Sequence, residues 1–320
     1  MTAYLQVKTL RLVLVLFLVT FASFMMVNLL PGDAVDALLS NGESGLPSAE
    51  AREALMRRFD LDKPVIVRYG WWLAAFLQGD LGRSVITAQP VFDALVTRLP
   101  VSVELMLLAQ IFALTLAIPL GILSAYRAGR ALDRVISVGT FIILAAPVFV
   151  VAVSLIFLFS VELKLLPSAG FTPLSGGVGR NLYGLILPAT AIGLAEIPVL
   201  VRVLRSDMVS TLQEDFIALA KAKGFSPAYI LFRHALRPSS FTLITIVGLQ
   251  MGSLVTGAVI VETIFGIPGA GKLLIEAIDR RDVVMVQGVV TVVAILYVLM
   301  NFAVDVLYAL LDPRVARRTS

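Results

Sequence analysis

Long apolar runs separated by short polar stretches dominate the chain. A helix that crosses the hydrocarbon needs about 20 mostly apolar residues. Six runs meet that requirement: Leu12–Leu30, Glu104–Ala125, Val135–Val161, Leu182–Leu200, Phe241–Val261 and Val283–Leu311. The first follows Lys8 and Arg11, as a secretory signal would, but it exceeds the usual apolar core of about 7–15 residues and no small-residue cleavage site follows it. It is read as a retained membrane helix. The expected fold class is an all-α polytopic membrane protein with six transmembrane helices.

The polar stretches carry their own patterns. Between the first two runs lies a long loop in which Ser48 caps a short amphipathic helix to Phe59, with Ala51, Leu55 and Phe59 on one face. Tyr69–Leu77 follows and holds both tryptophans, Trp71 and Trp72. Such rings favour the headgroup zone, and packing on the protein's own outer surface accounts for them equally well. Between the fourth and fifth runs, Leu212–Lys223 has helix-forming composition and stops at Gly224, a natural left-handed C-cap. Ser226 then caps a second helix with Pro227 at its first position, running to about Leu236 before Pro238. Ile217, Ala220 and Gly224 fall on one side and offer a small, smooth face flanked by Lys221 and Lys223. That pattern suits docking of a partner with an acidic groove; an amphipathic loop resting on headgroups is the plainer alternative.

Prolines 119, 147, 188 and 198 interrupt the runs and predict kinks, because an interior proline removes a hydrogen bond and crowds the preceding turn. Glu196 and Asp305 lie inside apolar runs. A carboxylate at the helix centre costs about 2.5–3.5 kcal/mol, which several Leu, Ile and Val offset. Asp305 is expected to pair with Arg202 or Arg205 inside the bundle.

Composition agrees with the pattern: 58% of the 320 residues are hydrophobic and 15% charged, with a mean hydropathy of +0.93. No cysteine is present, which excludes disulfides and thiolate chemistry. A single histidine, His234, argues against a multi-His metal site. The net charge of +4 is not a nucleic-acid footprint, because the basic residues sit in short loops beside apolar runs. Those loops set the orientation. Lys8, Arg11, Arg127, Arg130, Arg134, Arg202, Arg205, Lys221, Lys223, Arg233, Arg237 and Arg314 share one side, which places both termini in the cytoplasm. The loop from Pro31 to Pro100 is too long to count in that rule.

Gly266-Ile-Pro-Gly-Ala-Gly271-Lys272-Leu273 imitates a phosphate-binding loop up to its last position, where Leu273 lacks the hydroxyl that holds magnesium. The segment follows an apolar run rather than a strand, and reads as a tight turn leading into a short helix, Lys272–Ile278. The chain is expected to bind no nucleotide or metal itself.

Ala220, Ala222, Lys223 and Gly224, followed by Arg233–Pro238, resemble the cytoplasmic EAA-type coupling loop of ABC-importer permeases of the dipeptide/oligopeptide/nickel group. The resemblance covers nearly the whole chain: Leu30-Pro-Gly-Asp33, Gly79-Asp-Leu-Gly-Arg-Ser84, Arg98-Leu-Pro100, Ile118-Pro-Leu-Gly121, Leu166-Pro167, Val261-Glu-Thr-Ile-Phe265 and Leu310-Leu-Asp-Pro-Arg314. The order and spacing of these motifs are specific, although each is weak alone. The family pattern has a glutamate six residues before the loop glycine; this chain has Ala218 there, and Asp215 is the nearest upstream acid.

The resemblance implies a permease subunit without a catalytic site that imports peptides or related small solutes. Its partners would be a second homologous permease, two cytoplasmic ATPases that bind ATP and magnesium, an external solute-binding protein and the lipid bilayer. The coupling residues would be Asp215, Ala218, Ala220, Lys221, Ala222, Lys223, Gly224, Arg233 and His234, with Glu196, Arg202 and Asp305 as polar groups within the bundle. The organisation implied is an N-terminal helix (1–30), an outer loop (31–100), a five-helix core (101–311) containing the coupling loop 212–238, and a cytoplasmic tail (312–320) in the inner membrane. A stand-alone secondary transporter or channel is the alternative, and would be expected to show an internal inverted repeat; no convincing one is visible.

Overall fold

The computed structural model describes residues 2–29 and 63–311. The helix expected at Ser48–Phe59, the Leu30–Asp33 motif and the tail beyond Leu311 lie outside the described residues. Apart from an isolated antiparallel bridge between Arg83 and Pro90, regular structure among the described residues is helical. The helices are α1 (Thr2–Leu29), α2 (Val65–Leu77), α3 (Val91–Tyr126), α4 (Ala131–Ala145), α5 (Val148–Leu155), α6 (Val178–Thr211), α7 (Asp215–Ala222), α8 (Leu236–Phe265), α9 (Ala270–Asp279) and α10 (Val283–Leu311). Among the described residues, four helices are long and apolar enough to cross a membrane, or up to six if each of two bent pairs forms one span.

One of the four prolines in the apolar runs stands at a break between helices, and the other three lie within unbroken ones. The third apolar run breaks at Ala146–Pro147, and α4 and the helix beginning at Val148 meet at 99°. Ala146 takes the extended conformation, φ −86° and ψ 123°, that a residue before proline prefers. The expected interruptions at Pro119, Pro188 and Pro198 do not occur. Pro188 and Pro198 are buried inside the continuous α6, and Pro119 lies within the continuous α3. Packing against neighbouring helices holds such turns in place.

The chain divides into two compact units, one of residues 1–100 and 272–299, the other of 101–271 and 300–320. In the first, α1 and α2 share an aromatic cluster. The Tyr69 hydroxyl lies 2.9 Å from Thr20 Oγ1, and its ring meets Phe21 edge-on at 5.1 Å. Trp72 packs on Phe24 and Phe76, whereas Trp71 is exposed. Trp72 thus packs on the protein itself, which is one of the two sequence readings. Trp72→Ala is expected to destabilise by about 1–3 kcal/mol and Trp71→Ala by less than about 0.5 kcal/mol, measured by thermal unfolding in detergent.

The Gly79–Ser84 motif folds as a tight loop in the same unit. Gly79 and Gly82 have positive φ, and Asp80 Oδ1 accepts from Gly82 N–H at 2.9 Å. Ser84 Oγ donates to the buried Asp282 carboxyl and accepts from Thr87 N–H at 2.8 Å. Asp282, just ahead of α10, also accepts from the N–H groups of Val85 (3.3 Å) and Met285 (3.2 Å). It thus caps α10 and fixes the loop together.

In the second unit, α6 is the central helix. Small residues on both helices let α3 and α6 approach closely: a Cβ on Gly193 of α6 would lie 2.6 Å from the Ala109 carbonyl oxygen, and one on Gly121 of α3 would lie 2.9 Å from Leu204 Cδ2. At the α8–α9 bend of 78°, Gly266 is left-handed with φ 67°. The turn that imitates a phosphate-binding loop wraps the protein's own Glu262. That carboxyl is fully buried, accepts from Ser102 Oγ at 2.5 Å, and lies 2.3 Å from where a Cβ on Gly269 would be. Ser102 Oγ in turn accepts from Ala270 N–H at 2.8 Å.

Candidate functional site

The helix–glycine–helix segment between α6 and α8 is built by its caps. After Thr211 the chain turns through Gln213 and Glu214 and enters α7 with Asp215 in the first turn and Lys221 in the last, the arrangement that the helix dipole favours. Gly224, with φ 78°, ends α7: its N–H reaches Lys221 O at 3.0 Å and Phe225 N–H reaches Ala220 O at 3.3 Å. These two bonds form a Schellman stop. Ser226 Oγ then accepts from Tyr229 N–H at 3.3 Å with Pro227 behind it, as the sequence predicts.

The second helix does not end before Pro238. It passes through π-helical turns at Ile230–Ala235 directly into α8, with Pro238 in the first turn of that helix. The wider π turns relieve the clash of the proline ring, and near a helix start its missing N–H loses little. The segment is thereby joined without a break to a long apolar helix.

Of the small face expected to dock, Ile217 and Ala220 are turned inward and Gly224 is exposed. Ile217 and Ala220 are buried in one apolar cluster with Leu204, Met208, Ile230 and Ala125. Facing outward instead are Phe216 (44% exposed), Leu219 (56%), Phe225 (43%), Tyr229 (46%) and Phe232 (61%). Of the predicted coupling residues, Asp215, Ala218, Lys221, Ala222, Lys223, Gly224 and Arg233 are exposed, whereas Ala220 is buried and His234 half-buried. The His234 ring stacks on Phe225 at 5.8 Å and meets Tyr229 edge-on at 5.4 Å. A cavity of about 460 Å³ lies beside the segment, lined by Tyr126, Leu212, Lys221, Phe225, Ile230 and Leu231 among others.

The two arginines expected to pair with Asp305 each make a contact among the described residues. Arg205 binds Asp133 through Nε at 2.6 Å and Nη2 at 2.7 Å, and the Arg202 guanidinium sits 4.8 Å over the Phe141 ring. The side chain of Asp305 lies outside the described residues. Glu196 is buried, and its Oε2 has no hydrogen-bond partner among the described residues. Sequence reading missed Asp133: its neighbours are arginines in a short loop, so it reads as one more solvated charge.

The sequence pattern of the family described as "Binding-protein-dependent transport system inner membrane component" matches residues 117–317. The chain is 33% identical over 315 residues to a protein of Sinorhizobium fredii named as a probable peptide ABC transporter permease, covering 98% of this chain and 99% of that one. It is 38% identical over 319 residues to the di/tripeptide transport system permease protein DppB of Pseudomonas aeruginosa, covering 93% and 94%. Among solved structures, an inward-facing conformation of the MetNI methionine ABC transporter is similar with a TM-score of 0.57 at 17% identity, over 68% of this chain and 96% of that one. At that identity the likeness speaks to the fold.

Proposed function

Because this chain belongs to the family of binding-protein-dependent transport system inner membrane components, we propose that it is the permease subunit of an ATP-driven importer of peptides or related small solutes. The segment 212–238 is the element through which partner ATPases act on the membrane helices. The observation that carries this reading is the segment's construction: it is anchored on one side in a buried apolar cluster, joined to α6 by a short turn and to α8 without a break, and exposes aromatic and basic side chains on the other side. A push on such an element moves α6 and α8 rather than bending a loop. ATP and magnesium belong to two partner ATPases, and a second homologous permease and an external solute-binding protein complete the assembly. The loop arginines and lysines favour an orientation with the segment and both termini in the cytoplasm.

Copurification tests the proposal. The tagged chain, extracted from its own membranes in mild detergent, is expected to bring down ATP-hydrolysing subunits and a second permease in stoichiometric amounts. Recovery of the chain alone, active in uptake without nucleotide, would overturn it in favour of a secondary transporter.

A further inference from the structure

We propose that Asp133 is a positioning residue that locks the ends of α3, α4 and α6 into one rigid body beneath the docking segment. The proposal rests on the function proposed above for its purpose, but the lock itself is a property of this chain. Asp133 is 4% exposed, and its two carboxyl oxygens gather groups from three other stretches of chain. Arg205, near the end of α6, donates at 2.6 and 2.7 Å. Ser124, in the last turn of α3, donates at 2.5 Å. The N–H of Gly129, in the α3–α4 turn, donates at 2.8 Å, and Asp133 itself lies in the first turn of α4.

A two-point guanidinium–carboxylate contact fixes relative orientation as well as distance. Its neighbourhood makes it mechanical. Arg205 is six residues from the end of α6 at Thr211, about 9 Å along the helix axis, and there Thr211 Oγ1 lies 3.1 Å from Ser239 Oγ at the start of α8. The docking helix α7 buries Ile217 and Ala220 against the same ends, in the cluster containing Ala125 and Leu204. Force entering at α7 therefore reaches α3, α4 and α6 together. The first interruption beyond the lock along α4 is the 99° break at Pro147, and flexing belongs there rather than between α7 and α4. A carboxylate that merely solvated the Arg127–Arg134 loop would be exposed and bound to one partner.

The chain has no cysteine, so Ala218→Cys on α7 and Val138→Cys on α4 give a clean pair of nitroxide spin-label sites, both exposed. Pulsed electron paramagnetic resonance on the extracted complex is expected to give one narrow distance distribution that does not shift when ATP and vanadate are added. Asp133→Asn is expected to broaden it at least twofold and to let it shift with nucleotide. The neutral double variant Asp133→Asn/Arg205→Gln, which leaves no orphan charge but also no two-point contact, is expected to stay as broad as Asp133→Asn. Ser124→Ala, which keeps the ion pair, provides a milder version if Asp133→Asn does not fold, with intermediate broadening. Native width in Asp133→Asn, in Ser124→Ala or in the double variant would overturn the proposal. The width without nucleotide reads the lock even if no ATPase is bound, so loss of the nucleotide response at every label pair, with the width effects intact, would count against the proposed function alone.

Discussion

Gly269→Leu is expected to leave no monodisperse protein after detergent extraction, whereas Gly179→Leu behaves as the native chain. A Cβ at Gly269 would lie 2.2 Å from Glu262 Cδ and 2.3 Å from both of its carboxyl oxygens, while at Gly179 nothing lies within 4 Å. Glu262 cannot step aside, because it is fully buried and held by Ser102, which also holds the first N–H of α9. Forcing it out leaves buried polar groups unsatisfied at about 1–3 kcal/mol each and adds overpacking of about 1–3 kcal/mol. Against a total stability of about 5–15 kcal/mol, the sum is decisive. A double-mutant cycle separates this cause from general damage. Truncating Glu262 empties the space a Cβ would fill, so Gly269→Ala is expected to cost less in a Glu262→Ala background than alone, by at least about 1 kcal/mol in unfolding free energy. Equal costs in the two backgrounds would show that the carboxyl is not what excludes the side chain.

That turn shows why some features were legible and others not. The motif Val261–Phe265 and the glycines after it were visible in the sequence, and their imitation of a phosphate loop was rejected on Leu273. What the glycines make room for was invisible, because Glu262 and Ser102 are 160 residues apart and no local rule pairs them. The same holds for Ser84 with Asp282, separated by 198 positions, and for Asp133 with Arg205. Local chemistry was read well where it is self-contained. Gly224 is left-handed, Ser226 caps with Pro227 behind it, and the last apolar run, Val283–Leu311, coincides with α10.

Proline was the least reliable sign. The dihedral restriction on a preceding residue is a preference, and tertiary packing decides whether it is expressed. At Ala146 the preceding residue is extended and the chain turns sharply; at Leu187 and Ile197 it stays helical within the buried α6. The docking face failed for a related reason. Helix α7 has apolar residues at 216, 217, 219 and 220, two adjacent stripes, and size alone would send Phe216 and Leu219 inward. Smoothness argued for an outward Ile217–Ala220 face. The structure takes neither guide: Ile217 and Ala220 are buried in the cluster that also holds Ala125, Leu204 and Met208.

Leu219→Asp and Phe216→Asp are each expected to lower ATPase recovery with the tagged chain at least about thirty-fold while the permease itself inserts and remains folded. Leu219 is 56% exposed and Phe216 44% exposed, so their polar replacement removes little from the chain's own core, within about 0.5 kcal/mol. Phe216, Leu219, Phe225 and Phe232 are all exposed within the segment that carries Lys221 and Lys223, which is unlike an ordinary solvated surface. A central apolar anchor in a protein interface is worth about 2 kcal/mol or more, which sets the thirty-fold figure. Ile217→Asp is the contrasting variant: at zero exposure it puts an unpaired charge in the apolar cluster and is expected to abolish the folded permease as well as the complex. Headgroup contact predicts a different outcome, because an anchored polytopic chain stays in the bilayer whatever this face carries. Native ATPase recovery in both surface variants would therefore assign the aromatic face to lipid and leave the basic residues alone to engage the ATPase.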